Sequence, residues 1–128
     1  MASLMARGKK RARPPLVTFW SRNCTGCARA RRFFAAHPDI EYEAVDVRAT
    51  PVPEEEALDL VRSARRLLTK RGTRVEEVHL EGNQLDEETL LDLVVGRSRT
   101  MRAPALRVAD TLMIGFDEDA YLELLGLD

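Results

Sequence analysis

Apolar residues come in short bursts along this chain, each closed by a polar or proline-containing turn, and the period of each burst points to an element. After Pro14-Pro15, the run LVTFW (Leu16–Trp20) is continuous, β-branched and aromatic, the pattern of a buried strand. Ser21-Arg22-Asn23 makes a turn, and from Thr25 the period becomes helical. Ala28, Arg31/Arg32 and Ala35 lie on one side, Phe33 and Phe34 supply bulk, and His37-Pro38 stops the helix. In Ile40–Val47 the residues Ile40, Tyr42 and Ala44 alternate with Glu41 and Glu43, which predicts a second strand. Thr50-Pro51-Val52-Pro53 breaks the chain, with Pro53 suited to a first helical position. Ala57, Val61, Ala64 and Leu68 then recur at helical spacing, widened by Leu58, Leu60 and Leu67, and Gly72 offers a stop.

The stretch TRVEEVHLEGNQL is ambiguous: Val75, Val78 and Leu80 suit a short edge strand or an irregular connection. Asp86 caps a helix over Glu87–Val95 that Gly96 ends. ALRVA and TLMIG, separated by Asp110, predict a hairpin. Asp117 caps EDAYLELL, and Gly126 ends it. The order is strand–helix–strand, a helical stretch, then strand–strand–helix. The first unit requires a parallel pair and the closing hairpin an antiparallel one. The expectation is an α/β chain with a mixed four-stranded sheet and flanking helices, the thioredoxin-like layout. A helical segment of about residues 53–96 is inserted between the second and third core strands. Residues 16–128 form one domain in this reading, and residues 1–15 a basic, disordered arm.

At 128 residues, 45% hydrophobic and 32% charged, the chain can bury one sizeable core. No apolar run approaches the roughly 18 residues of a membrane span. The basic start MASLMARGKKRARPPL has no apolar h-region and is not read as a secretory signal. The net charge of −1 hides an asymmetry: residues 1–38 carry nine Lys/Arg and no Asp/Glu, while the remainder is net −10. Part of the excess is the cluster Arg7, Lys9, Lys10, Arg11 and Arg13, read as a solvated tail. The rest puts a positive field around the two cysteines, favouring a thiolate or an anionic ligand.

Those cysteines, Cys24 and Cys27, form a CxxC pair, which leaves three uses open: a redox couple, half of a metal site, or two packed thiols. A zinc site would need His37 and His79, whose spacing fits no common finger pattern. Inert packing sits poorly with a basic, polar turn. Redox chemistry leads, and the cytosol is the matching compartment. At a strand-to-helix junction Cys24 lies at or near the helix N-cap, where free N–H groups and the helix dipole lower a thiol pKa, helped by Arg22 and Arg29. Cys27, one turn in, can attack a mixed disulfide on Cys24, and Gly26 keeps the approach open. The fold reading sets a cis Pro104 opposite the pair at the start of the third core strand. Arg97, Arg99 and Arg102 form a basic approach to the same groove, with Arg102 the preferred ligand. His37 reads as a helix-end residue and Trp20 as sheet core under the site.

NCTGCARARRFF and RSRTMRAPALRVADTLMIGFDEDAYLELL together resemble the two ends of the arsenate reductase (ArsC)/Spx-like family of thioredoxin-fold proteins, over roughly residues 16–126. The resemblance implies a cytoplasmic, monomeric thiol–disulfide oxidoreductase acting on a protein or glutathione disulfide. No cofactor is bound, and glutathione or a thioredoxin/glutaredoxin system donates electrons. In that role Cys24 attacks and Cys27 resolves, while Arg102, Pro104, Arg22 and Arg99 shape the substrate groove; no metal and no membrane are involved. Two alternatives accompany it: a redox-switched, Spx-like regulator binding RNA polymerase, and an arsenate reductase. The family's Arg-Arg-Pro is here Arg102-Ala103-Pro104, one arginine short of what an oxyanion site wants.

Overall fold

The structure, a computed structural model, describes residues 16–80 and 85–127. The basic arm expected at 1–15 lies outside the described residues. The elements are β1 (Val17–Trp20), α1 (Thr25–Ala35), β2 (Glu43–Asp46), α2 (Glu54–Arg62), β3 (Arg66–Arg71), β4 (Arg74–His79), α3 (Glu87–Val94), β5 (Ala105–Val108), β6 (Thr111–Ile114) and α4 (Glu118–Leu124). Among the described residues no helix is long and apolar enough to cross a membrane.

The sheet runs β2-β1-β5-β6-β3-β4. β1 pairs parallel with β2 and antiparallel with β5, and β5 pairs antiparallel with β6, so the expected four-stranded mixed sheet is present. It is not the whole sheet. β3 joins parallel to β6, with Thr69 opposite Ile114, and β4 closes the edge antiparallel to β3. The sheet therefore has six strands instead of four, and the segment 53–96 is helix–hairpin–helix instead of helical throughout.

The physical reason lies in Leu67 and Leu68. α2 stops at Arg62, with the Ser63 hydroxyl donating to the Leu60 carbonyl at 2.9 Å. Leu67 then packs with Phe19, Val61, Leu90 and Leu112 on one face of the sheet, and Leu68 with Phe34, Leu106 and Met113 on the other. A strand buried on both faces reads as an unbroken apolar run, and Leu68 also continues the helical period of Ala57, Val61 and Ala64. Gly72 does stop an element, but as the first central residue of the β3–β4 turn, with φ 62.

The same two clusters define three layers. α2 and α3 cover one face; α1 and α4 cover the other. The buried face of α1 is Cys27, Ala30, Phe33 and Phe34, a different set from the Ala28, Arg31/Arg32 and Ala35 side, of which Ala35 and Arg32 are exposed. The acid caps stand where the sequence puts them: Asp86 accepts the Thr89 N–H at 2.8 Å and Asp117 the Ala120 N–H at 3.0 Å. Pro53 precedes α2 as its N-cap instead of opening its first turn. The C-terminal ends of β1, β6 and β3 and the start of β5 share one end of the sheet. The cysteine pair lies at that end.

Candidate active site

β1 ends at Trp20, and after three intervening residues Cys24 occupies the N-cap of α1 with extended backbone (φ −124, ψ 125). That conformation turns its side chain back over the first turn, where Cys24 Sγ accepts the Cys27 N–H at 3.1 Å. A thiol thus takes the place that Ser or Asp fills at other N-termini, at the positive end of the helix. As a donor, Cys24 Sγ reaches the Ala103 carbonyl at 3.4 Å. Cys27 Sγ points inward and accepts the Ser21 N–H at 3.2 Å. Both thiols are free; Cys24 is half-buried and Cys27 is 0% exposed. An accessible sulfur is therefore backed by an inaccessible one on the same helical turn.

Burial pushes the Cys27 thiol up to about 12, and the hydrogen bond and charge of Cys24 push the same way; the Ser21 N–H and Arg31 act against them. A neutral Cys27 in the folded state and an ordinary 9.0 in the unfolded chain fix the sign of a pH effect. The folded state keeps its proton between pH 9 and 12 while the unfolded chain releases it, so the stabilisation present below pH 9 is lost as pH rises to 12. Across that window stability should fall by about 1.4 kcal/mol per pH unit for this proton. Thermal unfolding of the reduced protein followed against pH, with a flatter alkaline limb in Cys27→Ala, checks it.

The opposite wall is the segment before β5. Met101 N–H donates to the Val52 carbonyl at 2.8 Å and Arg102 N–H to the Val94 carbonyl at 2.9 Å, which fixes the chain entering Ala103-Pro104. The Ala103–Pro104 bond is cis, and Pro104 is buried directly against the first turn of α1. A Cβ on Gly26 would meet Pro104 Cδ at 3.1 Å, so the glycine between the cysteines permits this close approach. Cys24, Cys27, Gly26, Ala103 and Pro104 thus form one contiguous constellation from elements about 80 residues apart in sequence.

The arginines divide. Arg22 is exposed beside the pair. Arg102 folds its chain over Gly96, donates from Nη2 to the Leu93 carbonyl at 2.9 Å at the C-terminal end of α3, and leaves Nε without a partner. Burial, then the nearby Arg71, holds its guanidinium below the ordinary arginine value. Arg99, with φ 66, is ion-paired with Glu54 at the start of α2. A cation that does act on the buried sulfur is Arg31, which sequence reasoning passed over as a mere helix position. Its Nη1 donates to the Ser21 carbonyl at 3.0 Å, its guanidinium lies 5.8 Å over the Trp20 ring, and its charge reaches Cys27. The available signal was its spacing, one helical turn after Cys27. Trp20 itself is half-buried, edge-on to Phe34 and Tyr42, and His37 closes α1 with Nδ1 2.8 Å from the Phe33 carbonyl.

Known proteins match this arrangement along most of its length. The sequence model of the ArsC family matches residues 19–124. The global transcriptional regulator Spx of Streptococcus agalactiae is 22% identical over 117 residues, covering 88% of this chain and 85% of that protein. Spx of Streptococcus pyogenes is 21% identical over 117 residues, with 88% and 87% covered. Among solved structures, the YffB (PA3664) protein superposes with a TM-score of 0.52 at 20% identity, over 86% of this chain and 98% of that one.

Proposed function

The chain belongs to the ArsC family, and from that membership and its dithiol we propose that it is a thiol–disulfide oxidoreductase in which Cys24 attacks and Cys27 resolves. The carrying observation is the asymmetry of the two sulfurs: one half-buried at a helix N-cap, the other fully enclosed a turn away. In the first step the Cys24 thiolate forms a bond to one sulfur of a substrate disulfide, and the other leaves with the electron pair as a thiolate. In the second, Cys27 loses its proton to solvent and displaces the bound half, closing the Cys24–Cys27 disulfide and releasing a second thiolate. An external thiol of the glutathione or thioredoxin class returns two electrons. Pro104 and the Ala103 carbonyl form the wall against which the mixed disulfide lies, with Arg22 at its rim.

The reading favours a disulfide over an arsenate substrate because Arg102 and Arg99 are engaged with Leu93 and Glu54, whereas an oxyanion wants several converging guanidinium donors. A second reading is a redox-switched regulator acting on RNA polymerase, favoured by the transcriptional-regulator relatives at near full-length coverage. One experiment separates them. Purified protein is titrated in glutathione redox buffers and then assayed for turnover of a glutathione-mixed disulfide. A couple more reducing than the cytosolic glutathione poise, together with turnover, supports the oxidoreductase. A couple near that poise, no turnover and redox-dependent polymerase binding would replace it with the switch.

A further inference from the structure

The buried sulfur takes a hydrogen bond from outside its own helix: Ser21, the residue after β1, donates its N–H to Cys27 Sγ at 3.2 Å. Ser21 begins the turn that joins β1 to α1, and the peptides of such a turn reorient unless something ties them. Here they are tied on both sides. Upstream, the Trp20 carbonyl accepts the Val47 N–H at 3.0 Å. Downstream, the Ser21 carbonyl accepts Arg31 Nη1 at 3.0 Å, and the same guanidinium lies 5.8 Å over the Trp20 ring.

Arg31 is half-buried and stands one helical turn beyond Cys27, so its reach back to the turn closes a circuit from Cys27 through Ser21 to Arg31. Holding so long a side chain in one conformation costs entropy. In this protein that ordering falls where it fixes the one backbone N–H aimed at Cys27 Sγ from the turn.

We infer that Arg31 is a positioning residue for the resolving step: by gripping the Ser21 carbonyl and stacking on Trp20, it keeps the Ser21 N–H on Cys27 Sγ while that sulfur becomes a thiolate. The inference rests on the proposed dithiol reading. Cys27 gives its proton to solvent, its electron pair forms the Cys24–Cys27 bond, and the bound substrate half leaves as a thiolate. Arg31 and Ser21 keep all their protons. A hydrogen bond to an anion is stronger than the same bond to a neutral thiol, so the Ser21 N–H favours the charged form, and the Arg31 charge acts in the same direction. The titratable groups interacting with Cys27 besides Arg31 are Cys24, which opposes the thiolate, and Tyr121 on α4, kept neutral by burial.

Arg31→Met keeps the apolar stem and the helix propensity and removes the guanidinium. Amide hydrogen exchange of the reduced protein reads the positioning directly. The Ser21 N–H should exchange about tenfold or more faster in R31M, while the Cys27 N–H, bonded to Cys24 Sγ, keeps its rate. The uncharged aromatic disulfide dithiodipyridine reads the consequence in stopped flow. Attack by Cys24 releases one thiopyridone, and resolution by Cys27 releases the second at a rate independent of reagent concentration. R31M should keep the first phase within about twofold, slow the second about tenfold, and reach a given second-phase rate about one pH unit higher. Arg32→Met, which removes an exposed charge from the same helix, should change neither phase. Unchanged Ser21 exchange in R31M, equal acceleration at Ser21 and Cys27, or an unchanged second phase would each overturn the inference and leave the dithiol reading standing. So would equal slowing of both phases, or equal slowing by R32M. Should R31M fail to fold, Arg31→Gln carries the same expectations. Release of a single equivalent by the unaltered protein would overturn the dithiol reading and the inference with it.

Discussion

Cys24→Ser is expected to abolish disulfide exchange, down to the background of the reagents alone, whereas Cys27→Ser should keep the first step and stop at the second. The two residues are chemically identical, and the difference comes from where the fold puts them. Cys24 is at the N-cap, accessible, with the Cys27 N–H aimed at its sulfur. Cys27 is enclosed and held protonated by burial, so with Cys24 removed it offers neither exposure nor thiolate. Treated with oxidised glutathione, Cys24→Ser should therefore carry no adduct by mass spectrometry. Cys27→Ser should accumulate one glutathione on Cys24, and the unaltered protein should pass to the internal disulfide. Below the Cys27 pKa the resolving rate should rise about tenfold per pH unit, in step with the thiolate fraction. A Cys24→Ser protein that still takes up glutathione rapidly at Cys27 would reverse the assignment of roles.

The placement of the two cysteines on which that proposed role split rests was legible in the sequence because it needs only local geometry. A CxxC pair between an apolar run and a helix places one cysteine at the cap and the other a turn inside, as it does here. The acid caps Asp86 and Asp117 and the β5–β6 hairpin were legible for the same reason. What escaped was set by tertiary contact. Leu67 and Leu68 belong to opposite faces of the sheet, and no local period distinguishes that from one side of a helix. The added hairpin therefore surfaced only as the ambiguous stretch around Val75 and Val78. At the site, the charge pattern pointed to a pool of arginines but not to their partners. Arg99 is drawn to Glu54 and Arg102 to the end of α3, while Arg31 acts on Cys27 from the next turn of α1.

Gly115→Ala should be among the most damaging single-methyl changes in the protein, and it should act on the site through the sheet. Gly115 follows β6 and its N–H donates to the Pro104 carbonyl at 2.8 Å, so it ties the wall of the groove to the end of the strand. Its φ of 95 lies where L side chains are strained, and a Cβ there would fall 2.6 Å from Lys70 Cβ and 3.6 Å from Lys70 Cα on the neighbouring strand. Lys70 cannot simply swing away, because its first side-chain carbon is fixed by the β3 backbone and its Nζ is held by Asp117 at 3.2 Å. The strained φ costs roughly 1–2 kcal/mol and the forced separation of β3 from β6 roughly 1–3 more. A fall in the unfolding midpoint of about 10 °C or more follows. Gly126→Ala is the matched control: φ is 70, but nothing lies within 4 Å of the new methyl, so only the backbone share remains. The difference between the two variants isolates the steric cost. The surviving folded fraction of Gly115→Ala should also exchange disulfides more slowly than Gly126→Ala, because relief of the clash moves either β3 or the segment carrying Pro104. Equal midpoints for the two variants would show that β3 yields freely, and the hairpin would then be a loose appendage to the core sheet instead of a buttress for the groove.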